Sequence, residues 1–122
     1  MKPAGKGIMV KLVVCVKRKP GMGVEEFHDY WRTHHGSLVK SVSGLRRYIR
    51  KYVQSHTIPQ AYENDAAPFD GIAELWFDDL AAVEAFLADP DYLAQVRPDE
   101  LKFSDHPNLA WFVTEEVPMI DG

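Results

Sequence analysis

Residues 24–38 read VEEFHDYWRTHHGSL, and this stretch constrains the rest of the chain most. At helical spacing Phe27, Tyr30, Trp31, His34 and Leu38 fall on one stripe. Four of these five carry apolar or aromatic bulk, while Glu25, Asp29, Arg32 and Thr33 fall largely on the opposite side. A helix divided in this way needs a surface against which to bury its stripe. The odd member is His34. An imidazole one turn after Tyr30, inside an aromatic wall, marks a candidate small-molecule site. His35 falls off the stripe and is expected at the rim or on the surface.

The surface that the helix needs comes from four apolar runs. Val10–Val16 (VKLVVCV) is rich in β-branched residues and reads as a strand covered on both faces at its centre. A Lys19-Pro20-Gly21-Met22-Gly23 turn leads into the helix. Residues 45–54 (LRRYIRKYVQ) alternate and read as a second strand with a mixed aromatic and basic face. Residues 55–70 show no period and read as a long loop. Gly71–Phe77 is the third strand, and Asp79 caps a helix over Leu80–Ala88. Asp89-Pro90 starts a further helical segment with Tyr92, Leu93 and Val96 inward. Arg97-Pro98-Asp99 reads as a break, 101–107 as a connector, and 109–117 as the last strand. The order β-α-β-β-α-β predicts a ferredoxin-like α+β fold. Its four-stranded antiparallel sheet carries both helices on one face.

Two helices cover one sheet face only. Leu12 with Val13, Leu75 with Trp76, and Trp111 with Phe112 put large apolar groups on both faces. The second face is therefore expected to meet another copy of the chain, as a homodimer through the sheet. With 122 residues the chain makes one domain, expected over 9–122, with 1–8 a loose extension and Met9 an alternative start. A net charge of −4, with basic residues dispersed, argues against nucleic acid as the main partner. The single cysteine, Cys15, excludes an internal disulfide and fits a reducing, cytoplasmic compartment. No apolar run reaches membrane-spanning length.

The block VVCVKRKPGMGVEEFHDYWRTHHGSLV and the SGLRRYI run after it resemble the EthD family of the dimeric α+β-barrel superfamily. The shared pattern is a strand, a Lys-Pro-Gly turn, Phe-x-x-Tyr-Trp-x-x-x-His, then Gly-Leu-x-x-Tyr. It covers about the first half of the domain. The resemblance implies a monomer that dimerises through its sheet, with a pocket between sheet and helices. It implies cofactor-free chemistry on lactones or polyketides, in which a histidine and tyrosines handle protons. The family histidine falls on His34, its preceding tyrosine on Tyr30, and the Gly-Leu-x-x-Tyr tyrosine on Tyr48.

These residues are the expected catalytic set. His34 acts as general acid or base, and Tyr30 and Tyr48 orient the substrate. Phe27, Trp31, His56, Glu74, Trp76 and His106 are the expected substrate-binding residues. Each also has a plainer reading: the aromatic residues as core, the loop histidines as exposed, and Glu74 as partner to a cation. No metal site is expected, because the five histidines show no ligand spacing. The expected function is a cofactor-independent lyase, isomerase, cyclase or decarboxylase acting on a small aromatic, polyketide-like or lactone substrate. Two alternatives remain: an oxygen-using monooxygenase of the same superfamily, with or without haem, and a non-catalytic ligand-binding dimer.

Overall fold

β-Branched and aromatic residues at alternate positions build one antiparallel sheet in the computed structural model, which describes residues 9–63 and 67–120. The extension expected over 1–8 lies outside those residues. The strand order is β2-β3-β1-β4. β1 (Val10–Val16) and β3 (Gly71–Phe77) form the centre, and β2 (Lys51–His56) and β4 (Ala110–Glu115) form the edges. β3 lies between β1 and β2, which is the split arrangement expected of a ferredoxin-like fold. In the register Leu12 faces Leu75 on one side and Val113 on the other.

Alternation sorts the two sheet faces. Leu12, Val16, Ala73, Leu75 and Phe77 are buried beneath the helices. Lys11, Val13 and Cys15 pair in register with Trp76, Glu74 and Ile72 and share the other face. Glu74 and Trp76 therefore point away from the helices.

The first helical rod spans 24–41. α1 (Val24–Asp29) runs into a π-helical turn (Tyr30–His35) and then α2 (Gly36–Ser41). The turn before it has Met22 N–H donating to Lys19 O at 3.0 Å, with Gly21 at φ 86°. That left-handed φ suits glycine. Phe27 and Trp31 are fully buried in the core, each contributing roughly 1.5–3 kcal/mol. Gly71 lets the Trp31 ring lie against β3. A Cβ there would fall 2.6 Å from the indole and 2.4 Å from Ser55 O.

α3 (Pro59–Tyr62) is one short turn after β2. α4 (Leu80–Ala88) begins at Asp79, whose Oδ1 accepts from Ala82 N–H at 2.9 Å. A second rod follows, in which a π turn (Tyr92–Val96) leads into α5 (Arg97–Phe103). Among the described residues no helix is long and apolar enough to cross a membrane.

Two sequence expectations need correction. Residues 43–47 form a 3-10 turn instead of the start of β2. Leu45 and Ile49, one turn apart, are both buried, and Ile49 N–H donates to Leu45 O at 3.2 Å. Burying both anchors in a turn outweighs the weak strand alternation. The Arg97-Pro98-Asp99 break is instead the first turn of α5. The helix runs through Pro98 from the π turn without a break, since Val96 and Arg97 both keep helical backbone angles and Arg97 N–H donates to Tyr92 O.

Candidate active site

A cavity of about 330 Å³ lies between the sheet and the two helical rods. Its apolar wall includes Leu12, Val16, Leu75, Phe86 and Phe103. Its polar groups include His35, Tyr52, Tyr92, Arg97, Glu100 and His106. Trp111, exposed on β4, also borders it.

The π turn decides which histidine reaches this cavity. An α-helix would have kept His34 inward. Here Gly36 N–H reaches back to Trp31 O, five residues earlier. Each turn then holds one residue more than an α-turn. The buried stripe becomes Phe27, Trp31, His35, Val39. His35 is 6 % exposed and borders the cavity. The His34 side chain is 56 % exposed and does not border it. This reverses the expected placement of the pair.

His35 Nδ1 lies 2.8 Å from Asp99 Oδ2. The carboxylate accepts, so Nδ1 carries the proton and the Nε2 lone pair is left free. Tyr30 donates its hydroxyl to Asp99 Oδ1 at 2.5 Å. His34 stacks on Tyr30 with ring centroids 4.5 Å apart and has Nδ1 3.4 Å from the same oxygen. Tyr30 therefore holds Asp99 in place and does not border the cavity. Burial raises its hydroxyl to about 12, with Asp99 adding to the rise. Burial also pushes the His35 imidazole below its ordinary 6.5, against the pull of Asp99. For Asp99, burial acts upward, but the hydrogen bonds from Tyr30 and His35 outweigh it and hold the carboxyl low.

Glu100, next on α5, borders the cavity itself. Burial pushes its carboxyl up to about 7, opposed by the Tyr92 hydroxyl and the Arg97 charge. Tyr92 donates to Glu100 Oε2 at 2.9 Å, and His106 Nε2 is 3.7 Å from Oε1. A neutral imidazole and a carboxyl titrating near neutrality therefore border one apolar space. That pairing can take a proton at one place and give one at another.

Trp31 and His106 border the cavity. Phe27 lies behind the wall in the core. Tyr48 packs on Phe86 and donates to Asp89 Oδ2 at 2.8 Å, away from the cavity. Its position follows from the 3-10 turn, which withdraws residue 48 from the strand. Glu74 pairs with Lys11 at 2.8 Å on the outer sheet face. Trp76, on that same face, lies under Lys11 and Lys51. Strand alternation excludes both from the cavity.

His56 stacks against Trp31 with centroids 4.3 Å apart and does not border the cavity. Its Nδ1 is 2.7 Å from His28 Nδ1, and its Nε2 is 2.8 Å from Gln54 Oε1. Gln54 Nε2 donates to Trp31 O at 2.9 Å and to the Tyr52 hydroxyl at 2.8 Å. The Tyr62 hydroxyl donates to Asp70 Oδ1 at 2.6 Å and lies 3.0 Å from His28 Nε2. Among the described residues no group of three His, Cys, Asp or Glu is placed to hold a metal ion.

The rod that carries His35 and the rod that carries Asp99 and Glu100 both fall within residues 19–107, and those residues match the family model described as the EthD domain. The chain belongs to the EthD family. Among curated proteins, the dehydratase aurZ of Gibberella zeae is 26% identical over 106 residues, covering 80% of this chain and 70% of that protein. The conidial pigment biosynthesis dehydratase EthD of Metarhizium robertsii is 28% identical over 103 residues, covering 77% and 72%. An EthD family protein from Bacillus halodurans superposes with a TM-score of 0.66 at 20% identity, covering 90% of this chain and all of that one. A dimeric ferredoxin-like protein of unknown function from Bacteroides fragilis gives 0.61 at 20%, covering 88% and 96%. These structures share the fold.

His35, Asp99, Glu100, Tyr52 and Tyr92 were not among the residues expected from sequence. One signal pointed to the acids: Val96, Asp99, Glu100 and Phe103 recur at helical spacing, which places both acids on the inner side of one helix.

Proposed function

We propose that this EthD protein is a cofactor-independent lyase that eliminates water from a small, ring-containing β-hydroxy carbonyl compound. The observation that carries the reading is the His35–Asp99 pair bordering the same apolar cavity as Glu100, a carboxyl held near neutrality. Two relatives named as dehydratases support the reaction class.

The elimination needs one base and one acid. His35 Nε2 takes the proton from the carbon next to the carbonyl. The C–H electron pair moves onto the carbonyl oxygen as an enolate. Protonated Glu100 gives its proton to the β-hydroxyl, the C–O bond breaks and water leaves. The enolate pair then returns to form the carbon–carbon double bond. Asp99 keeps its charge throughout and stabilises the imidazolium that forms on His35. The apolar wall suits an aromatic or polyketide-like ring. Trp31 and His106 contribute to that wall as substrate-binding residues.

The active unit is a homodimer joined through the outer sheet face. Val13, Cys15, Ile72, Val53 and Phe112 lie there around the Lys11–Glu74 pair, and Phe112 is exposed. A related fold described as dimeric supports this assembly. The free Cys15 suits a cytoplasmic location.

The test uses 3-hydroxy-1-tetralone, whose dehydration yields fluorescent 1-naphthol. The expected result is acceleration over buffer, lowered roughly 10²–10⁴-fold in His35→Asn. Absence of acceleration across one-, two- and three-ring β-hydroxy ketones overturns the reading.

A further inference from the structure

Tyr52 borders the cavity with a hydroxyl whose hydrogen-bonding direction is set from behind. The Trp31 carbonyl can only accept. It already accepts from Gly36 N–H, and it faces Gln54 at 2.9 Å. Gln54 must therefore present its NH₂ group there, which fixes the amide orientation. The second N–H of that group points at the Tyr52 oxygen, 2.8 Å away. Tyr52 is thus an acceptor towards Gln54. Its own O–H proton has no acceptor among the described residues.

The amide is held from its other end as well. Gln54 Oε1 is the acceptor facing His56 Nε2 at 2.8 Å, so that ring carries its proton on Nε2. His56 Nδ1 lies 2.7 Å from His28 Nδ1. Gly36 leaves room for the arrangement, since a Cβ there would sit 3.1 Å from Gln54 Nε2. Burial and the nearby Glu100 charge raise the Tyr52 hydroxyl above its ordinary 10, against the Gln54 hydrogen bond, so it stays protonated at neutral pH.

We propose that Tyr52 is the ligand-oxygen donor of this cavity, giving its hydroxyl hydrogen bond to the carbonyl oxygen of the bound ring compound. Gln54 is the positioning residue behind it. Its place in the reaction rests on the dehydration reading above. An enolate forming at that oxygen meets a donor already turned towards it, which is how a site stabilises developing charge. The ligand class narrows accordingly: a ketone or quinone-like ring, with its oxygen on the β2 side of the cavity.

The test is binding without turnover. The probes are 1-tetralone, a two-ring ketone that only accepts, and tetralin, its hydrocarbon counterpart. Tyr52→Phe should weaken 1-tetralone about threefold to tenfold and leave tetralin unchanged. In the unaltered protein the infrared C=O band of bound 1-tetralone should move to lower frequency than in hexane. That shift should vanish in Tyr52→Phe and persist in His35→Asn. Gln54→Met should broaden the band, because the phenol then loses its fixed orientation. An unshifted band in the unaltered protein, equal losses for the two probes, or binding of neither overturns the proposal. A shifted band with no dehydration of any substrate keeps Tyr52 as the donor and removes only the reaction.

Discussion

Asp99 Oδ2 lies 2.8 Å from His35 Nδ1, and this contact settles which ring nitrogen of His35 keeps its lone pair. An asparagine at 99 can turn an N–H towards Nδ1 and send the imidazole proton to Nε2. Asp99→Asn should therefore lower turnover by roughly 10²–10⁴-fold. Nitrogen-15 NMR should show the His35 tautomer exchanged. Full activity with an unchanged tautomer contradicts the role given to Asp99.

The rate should pass through a maximum on the acid side of about pH 7, between the two ionisations. His35 must be neutral, and its imidazole titrates below 6.5. Glu100 must be protonated, and its carboxyl titrates at about 7. Activity should therefore rise as pH climbs through the His35 ionisation and fall as it passes about 7. In Glu100→Gln the alkaline limb should disappear along with most of the rate. Persistence of the limb assigns it to another group.

Glu100 also makes a stability prediction. Its folded-state value is raised, so its contribution is fully present below the unfolded value near 4.5 and is lost as pH rises through about 7. At about pH 8 the buried charge costs roughly 1–3 kcal/mol. Glu100→Gln should be more stable than the parent by about that amount there, in urea unfolding, and no more stable at about pH 5. Such a gain matches the trade between stability and activity common in acid–base sites.

The strands were legible in the sequence because their β-branched runs are bounded by Pro, Gly and Asp. β1, β3 and α4 have the bounds that their residues imply. The cavity was legible only as a direction, the inward face of the first helix. The histidine within it was not, because a 3.6-residue period selects position 34 and the chain adopts a wider turn. Nothing in YWRTHH marks that turn by itself; it depends on Trp31 seating over Gly71 and on His35 meeting Asp99. The acids were hidden by reading Pro98 as a stop, when the helix runs on through it from the π turn. Tyr48 was misplaced because Leu45 and Ile49 prefer burial on one side of a turn. Glu74 and Trp76 had only to be assigned to the correct parity of β3, which Gly71 and Ala73 set.

His56 should stay neutral deep into acid. Burial, with the His28 and Arg32 charges, pushes it down to about 4. The unfolded chain takes up this proton near 6.5, so the contribution is complete above 6.5 and is lost as pH falls towards 4. Because the ring is partly exposed, the loss is roughly 1–2 kcal/mol. Unfolding of His56→Phe should show a shallower acid decline than the parent. An equal decline assigns the acid sensitivity elsewhere.

Phe112 is half exposed on the outer sheet face, beside Val13 in the register. Phe112→Glu places a charge where the proposed dimer packs. Sedimentation should show a dimer for the parent and a folded monomer for the variant at micromolar concentration. A monomeric parent contradicts the sheet-to-sheet assembly.

The wider turn at Tyr30–His35 and its choice between two adjacent imidazoles are the centre of the account. The direct measurement compares His34→Ala with His35→Asn in the dehydration of 3-hydroxy-1-tetralone, with both variants folded. His34→Ala should keep its rate within about threefold, and His35→Asn should lose roughly 10²–10⁴-fold. The reverse order, with His35→Asn fully active and His34→Ala inactive, contradicts it.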